Sequence, residues 1–236
     1  MAFVLVACEE SQRVCTAFRE KGHTAYSCDL MPCSGGHPEW HIQCNVLDVL
    51  YPPIYFQTMD SMLHMVPKWD LIIAHPPCTR LCNSGQRWRF WGSDEQRKWK
   101  ELETVDAIEF FMTFAMLRNC DHIAIENPIG IMSSIYRKPD CIYNPYDFAG
   151  ETDCKKTCLW LWGLPPLKPT QSLPPEQRTQ NIWKAHFNGK SYSWNSPETA
   201  RLRSQTPVGV AKAMADQWSP YLDTIRPTIF LDESSN

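Results

Sequence analysis

Long apolar runs, glycine and a surplus of positive charge are all scarce in this chain of 236 residues. No stretch approaches the roughly 20 apolar residues that a membrane-spanning helix needs. Lys and Arg number 23 against 26 Asp and Glu, a formal net charge of −3, so the global basic footprint of an electrostatic nucleic-acid binder is missing. Only 10 glycines stand beside 19 prolines, which makes the loops stiff and a Gly-rich phosphate cradle unexpected. The 11 cysteines fall short of the roughly 8–10% of a disulfide scaffold. The run Phe3–Cys8 lacks a basic flank and meets Glu9 and Glu10 at once, so it does not read as an export signal. The thiols are therefore expected reduced, in a cytoplasm. Disorder, collagen and coiled coil are excluded by a composition 43% hydrophobic and 21% charged, the ordinary globular range.

What is present is an alternation of short apolar runs and helical periods. Phe3–Cys8, Thr24–Cys28, Ile42–Val46, Trp69–His75 and His122–Glu126 read as strands, and Lys155–Trp162 as a further one. Ser11–Lys21, stopped by Gly22, and Glu101–Leu117 carry apolar residues at helical spacing, and Pro207–Trp218 reads as a helix with proline at its start. The pattern predicts an α/β fold with a mostly parallel, doubly wound sheet. Such sheets bind ligands at the carboxyl ends of their strands. Glu9, Asp29, Asn45, His75 with Cys78, and Glu126 all fall there.

Two constellations carry chemistry. Cys78 follows the diproline Pro76-Pro77 directly after a strand, a stiff and partly exposed setting that suits a nucleophile. Arg80 or Arg87 is placed to favour its thiolate. Glu126-Asn127-Pro128 ends the next strand, where desolvation is expected to raise the carboxyl pKa and make it a proton donor. From Arg80 to Lys100, six cations face two acids, with Trp88, Phe90, Trp91 and Trp99 interleaved. That patch suits phosphates and bases, and equally a solvated helix start with its aromatics in the core. Cys28, Cys33, His37 and His41 are zinc-type ligands, but their spacing matches no common zinc module and no metal is expected.

Pro-Pro-Cys-Thr-Arg-Leu-Cys-Asn-Ser-Gly resembles the Pro-Cys motif of the DNA cytosine-5 methyltransferases, and Glu-Asn-Pro resembles their Glu-Asn-Val motif. Ser204–Trp218 is similar to the closing motif of that family. The resemblance covers Phe3 to Trp218 and is nearest to compact phage and prophage members. It implies a Rossmann-like S-adenosylmethionine-dependent methyltransferase fold in a bacterial or phage-infected cell. Cys78 would attack cytosine C6 and Glu126 would serve N3, with S-adenosylmethionine as cofactor and DNA as partner, the DNA single-stranded or read non-specifically. The cofactor would be held by Ala7, Cys8, Glu9, Asp29, Asn45, His75 and Pro76, and nucleic acid by Arg80, Arg87, Arg89, Lys155 and Lys156. Residues 1–162 and 196–220 would form the catalytic domain, 163–195 a short insertion in place of a target-recognition domain, and 221–236 a tail. The first motif lacks the usual glycines, Asn45 stands where Asp is usual, and Lys155-Lys156-Thr157 stands for Arg-x-Arg. The alternatives are a catalytically inactive cofactor or nucleic-acid binder, and a methyltransferase acting on a cytosine nucleotide, RNA or an exocyclic amine.

Overall fold

The computed structural model describes residues 1–182, 184–187 and 189–223. Its elements are β1 (Phe3–Ala7), α1 (Arg13–Glu20), β2 (Thr24–Asp29), β3 (His41–Gln43), β4 (Ile54–Gln57), β5 (Leu63–Val66), β6 (Leu71–Ala74), α2 (Asn83–Gln86), α3 (Asp94–Ala115), β7 (His122–Pro128), α4 (Met132–Ile135), β8 (Cys141–Tyr143), β9 (Thr157–Trp162), β10 (His186–Phe187), β11 (Lys190–Ser191), α5 (Pro197–Ser204) and α6 (Val208–Asp223). Seven strands form the central sheet in the order β3-β2-β1-β6-β7-β9-β8. The four pairings from β3 to β7 are parallel, whereas β9 runs antiparallel to both neighbours. The chain builds outward from β1 to β3, then returns to β6 and builds the other way. The order therefore reverses between β1 and β6, the place where open α/β sheets form a ligand crevice.

The twofold alternation of the strands divides the core. Val4, Val6, Leu71 and Ile73 face Val14 and Phe18 of α1 and Met214 and Trp218 of α6. Leu5, Ala7, Ile72 and Ala74 face the opposite side with Trp69, Phe111, Phe114 and Trp160. All of these side chains are buried, as continuous apolar runs with covered faces require.

Several boundaries differ from expectation. The third strand stops at Gln43, because the Asn45 side chain accepts from the Leu47 amide at 3.1 Å and starts a helical turn. α3 begins at Asp94, ahead of the apolar period, because Ser93 and Gln96 form a reciprocal capping box. α6 runs three residues past Pro220, and the remaining expected tail, 224–236, lies outside the described residues. The segment after β9 is anchored in part: Leu167 is buried, and Trp218 Nε1 donates to the Pro165 carbonyl at 3.1 Å.

Candidate active site

Four neighbouring strands of the sheet each contribute a charged or chargeable group to one edge. Glu9 follows β1, His75 follows β6, Glu126 lies in β7 and Lys155 precedes β9. With His75 protonated, the row alternates in sign. A cleft of about 1400 Å³ opens over this edge, lined among others by Glu9, Asp29, His75, Cys78, Lys155 and Thr206.

Glu126 is not itself a lining residue but lies directly behind two that are. Its Oε2 accepts from Thr206 Oγ1 at 3.4 Å and meets His75 Nδ1 at 2.9 Å. About a tenth of each of the His75 and Glu126 side chains is exposed. Burial pushes the Glu126 pKa up, but the His75 hydrogen bond and charge, then Lys155 and Thr206, outweigh it and leave the group below the usual carboxyl value. This corrects the expectation of a raised carboxyl: desolvation is present, but an ion partner on the neighbouring strand overrides it. The same pairing raises His75 against its own burial, with Glu9 adding to the effect. Among the described residues, His75 Nε2 is buried without a hydrogen-bond partner. Glu9, in turn, is raised by burial and accepts from the Val14 and Cys15 amides of α1 at 2.7 and 3.1 Å.

The Cys78 loop is fastened to the loop after Glu126 through backbone. Asn83 donates to the Ile129 carbonyl at 3.1 Å, and Ile131 donates to the Leu81 carbonyl at 2.9 Å. Asn127 Nδ2 reaches across to the Pro76 carbonyl at 2.8 Å. The approach is so close that a Cβ on Gly130 would lie 1.9 Å from the Leu81 carbonyl oxygen. Cys78 is half-buried beside Cys82. A hydrogen bond to Cys82, then burial, raise the Cys78 thiol well above its ordinary value, while Lys155 pulls the other way. The neighbouring Cys82 thiol is lowered to about 5, first by its hydrogen bond with Cys78 and then by Ser84 and the Gly85 amide. The expected help from arginine is absent for Arg80, whose guanidinium is bound to Glu103 at 2.9 Å through Nε. Lys155 is the cation that favours the Cys78 thiolate.

Among the expected cofactor residues, Cys8, Glu9, Asp29 and His75 line the cleft, whereas Ala7, Asn45 and Pro76 do not. Ala7 is buried under the sheet edge, and Asn45 is an exposed cap. Cys8 takes φ 60°, the left-handed conformation that glycine adopts at least cost, so the glycine-free loop still turns as a glycine loop does. Asp29 Oδ1 accepts from the Met31 amide at 2.9 Å.

Lys155 and Lys156 line the cleft, while Arg80, Arg87 and Arg89 do not. Arg89 is held by Glu101 at 2.9 Å. The aromatics of the same stretch are not core residues: Trp88, Phe90, Trp91 and Trp99 are all more than half exposed. Cleft-lining residues that sequence reasoning missed include Tyr146, Arg178, Trp194, Arg203 and Thr206. Thr206 lies in the Ser204–Trp218 motif; Arg203 comes from α5, Tyr146 from a single 3-10 turn, and Arg178 and Trp194 from segments without regular structure.

The cysteine and histidine set considered for zinc is committed elsewhere. Cys28 Sγ meets Cys44 Sγ at 3.9 Å, His41 bridges Ser27 and the Met31 carbonyl, and His37 pairs with Glu39. Among the described residues, no group of three or more candidate ligands is disposed to hold a metal ion. No helix among them is long and apolar enough to cross a membrane. No known protein-family profile matches the chain, and no curated protein sequence matches it.

Proposed function

We propose that this chain is a DNA cytosine-5 methyltransferase that uses S-adenosylmethionine. The observation that carries the reading is the position of Cys78 and Glu126. They stand at the carboxyl ends of two adjacent parallel strands, in loops fastened to each other, beside the reversal of strand order. A nucleophilic thiol and a carboxyl group so placed are what addition to a pyrimidine ring requires.

The cleft offers charges of both signs, which suits both ligands. Glu10 and Asp29 line the part nearest β1 and β2, and acidic side chains suit ribose hydroxyls and an ammonium group. Lys155, Lys156, Arg178 and Arg203 line the part formed by later segments, and these suit phosphates. When bound, S-adenosylmethionine supplies an electrophilic methyl group.

The chain's own residues account for the remaining steps. Cys78 gives its proton to solvent in the open cleft, Lys155 favouring the thiolate, and Sγ bonds to cytosine C6. Electron density moves toward N3, which takes the proton shared by Glu126 and His75. C5 is then nucleophilic and accepts the methyl group. The C5 proton passes to solvent, the C6–Sγ bond breaks with Cys78 leaving as the thiolate, the aromatic ring is restored, and N3 returns its proton to the pair. In this scheme His75 is a positioning residue that keeps Glu126 oriented and supplied with a proton.

The test is nucleoside mass spectrometry of DNA from a methylation-deficient bacterium that expresses the wild type or Cys78→Ala. 5-Methylcytosine with the wild type alone supports the reading. Its absence from both, with cofactor binding intact by calorimetry, favours an inactive binder or a substrate other than DNA.

A further inference from the structure

Two tryptophans and two cation-ring pairs line the cleft without serving the core. Trp88 comes from the loop after Cys78, and Trp194 from the segment before α5, and they are 57% and 46% exposed. The Arg203 guanidinium lies 4.2 Å from the Trp194 ring centre, and that of Arg178 lies 4.1 Å from the Tyr146 ring centre. All four of these residues line the cleft together with Lys155 and Lys156. Nearby Glu198 is neutralised by Arg201 at 2.8 Å. Flat rings beside cations are the equipment of a surface that stacks bases and follows phosphates.

In a closed duplex the base faces are covered by their neighbours, so wall-mounted rings have nothing to stack on. A duplex is read instead by a helix or a two-stranded ribbon inserted into a groove. The helices that contribute to the cleft wall are short: α2 has four residues and α5 has eight. Four and eight residues make about 6 and 12 Å of helix, short for an element that enters a major groove. We infer that the cleft takes a single polynucleotide strand whose bases are already unpaired, held by stacking on Trp88 and Trp194 and by the cations of the same wall. The inference rests on the nucleic-acid reading above and narrows its substrate.

The test is fluorescence anisotropy of a labelled oligonucleotide at fixed salt, as single-stranded DNA, as the same sequence in duplex, and as single-stranded RNA. The expected result is binding of single-stranded DNA at least about tenfold tighter than duplex. Trp88→Ala and Trp194→Ala should each weaken it by about 5- to 150-fold, the range for loss of one stacked base. Trp194→Phe keeps a stacking face and should retain most of the affinity, which separates lost stacking from misfolding. RNA binding as tight as DNA binding also supports the inference and shows that the sugar is not read. Duplex bound as tightly as single strand overturns it while leaving the methyltransferase reading in place. Failure of every polynucleotide to bind also overturns it, and cofactor calorimetry on the same sample then tells whether the methyltransferase reading survives with a smaller substrate.

Discussion

His75 Nδ1 lies 2.9 Å from Glu126 Oε2, across two adjacent parallel strands, with both side chains about nine-tenths buried. Glu126 is depressed from 4.5, so its contribution is present above that pH and is lost as pH falls through its folded value. His75 is raised from 6.5, so its contribution is complete below that pH and is lost as pH rises through its folded value. The pair therefore stabilises most between 4.5 and 6.5. His75→Gln should cost about 3–5 kcal/mol in that window, the usual cost of removing one partner of a buried pair. Urea denaturation across pH would show the gap narrowing at both extremes. A gap independent of pH would mean that the two groups do not share charge.

Cys82 should restrain the nucleophile. Cys82→Ala removes the largest cause of the raised Cys78 thiol, so alkylation of Cys78 by iodoacetamide at neutral pH should accelerate. The gain is about tenfold for each unit by which its pKa falls. Peptide mass spectrometry reads the site directly. Unchanged labelling of Cys78 would show that Cys82 does not govern it.

Gly130 sets the distance between the two candidate catalytic loops. Its hydrogen faces the Leu81 carbonyl, and a methyl group there has to displace backbone. Gly130→Ala should lose about 1–3 kcal/mol of stability. Turnover should fall further than stability, because the Cys78 loop shifts relative to Glu126. A thermal melt and a single-turnover assay on the same preparation separate the two effects.

On the proposed reading, Asp29, which lines the cleft, would hold the ribose diol of the cofactor. Asp29→Ala should weaken S-adenosylmethionine by about 10- to 150-fold, corresponding to loss of a charge-assisted hydrogen bond of about 1.5–3 kcal/mol. Titration calorimetry decides the point, and an unchanged affinity would remove Asp29 from the cofactor site.

The central strands were legible because β1, β6 and β7 are continuous apolar runs bounded by turn residues, a pattern that needs no tertiary information. The hairpin of β4 and β5 was not, since Tyr55, Leu63 and Met65 are apolar yet exposed and blur the alternation. The periodicity of α3 misled in part: Leu102 and Val105 supported the expected helix but are 58% and 45% exposed, and its true start depends on the Ser93 cap. Cys78 and Glu126 were visible as local motifs. The partner of Glu126 was not, because His75 lies 51 residues away and meets it only through strand pairing. Local sequence suggested a desolvated carboxyl; the sheet supplied the ion that reverses the sign of its shift.

The Glu9 carboxylate bound to the first amides of α1 also selects against a class of ligand. A helix N-terminus behind the first strand of such a sheet is where nucleotide-binding folds seat a phosphate. Here the protein fills that seat with its own Glu9 carboxyl group, and a phosphate arriving at the same amides would have to displace it. Coenzymes that depend on a pyrophosphate at this turn are thereby disfavoured, and the loop is left to molecules that carry no phosphate at that end.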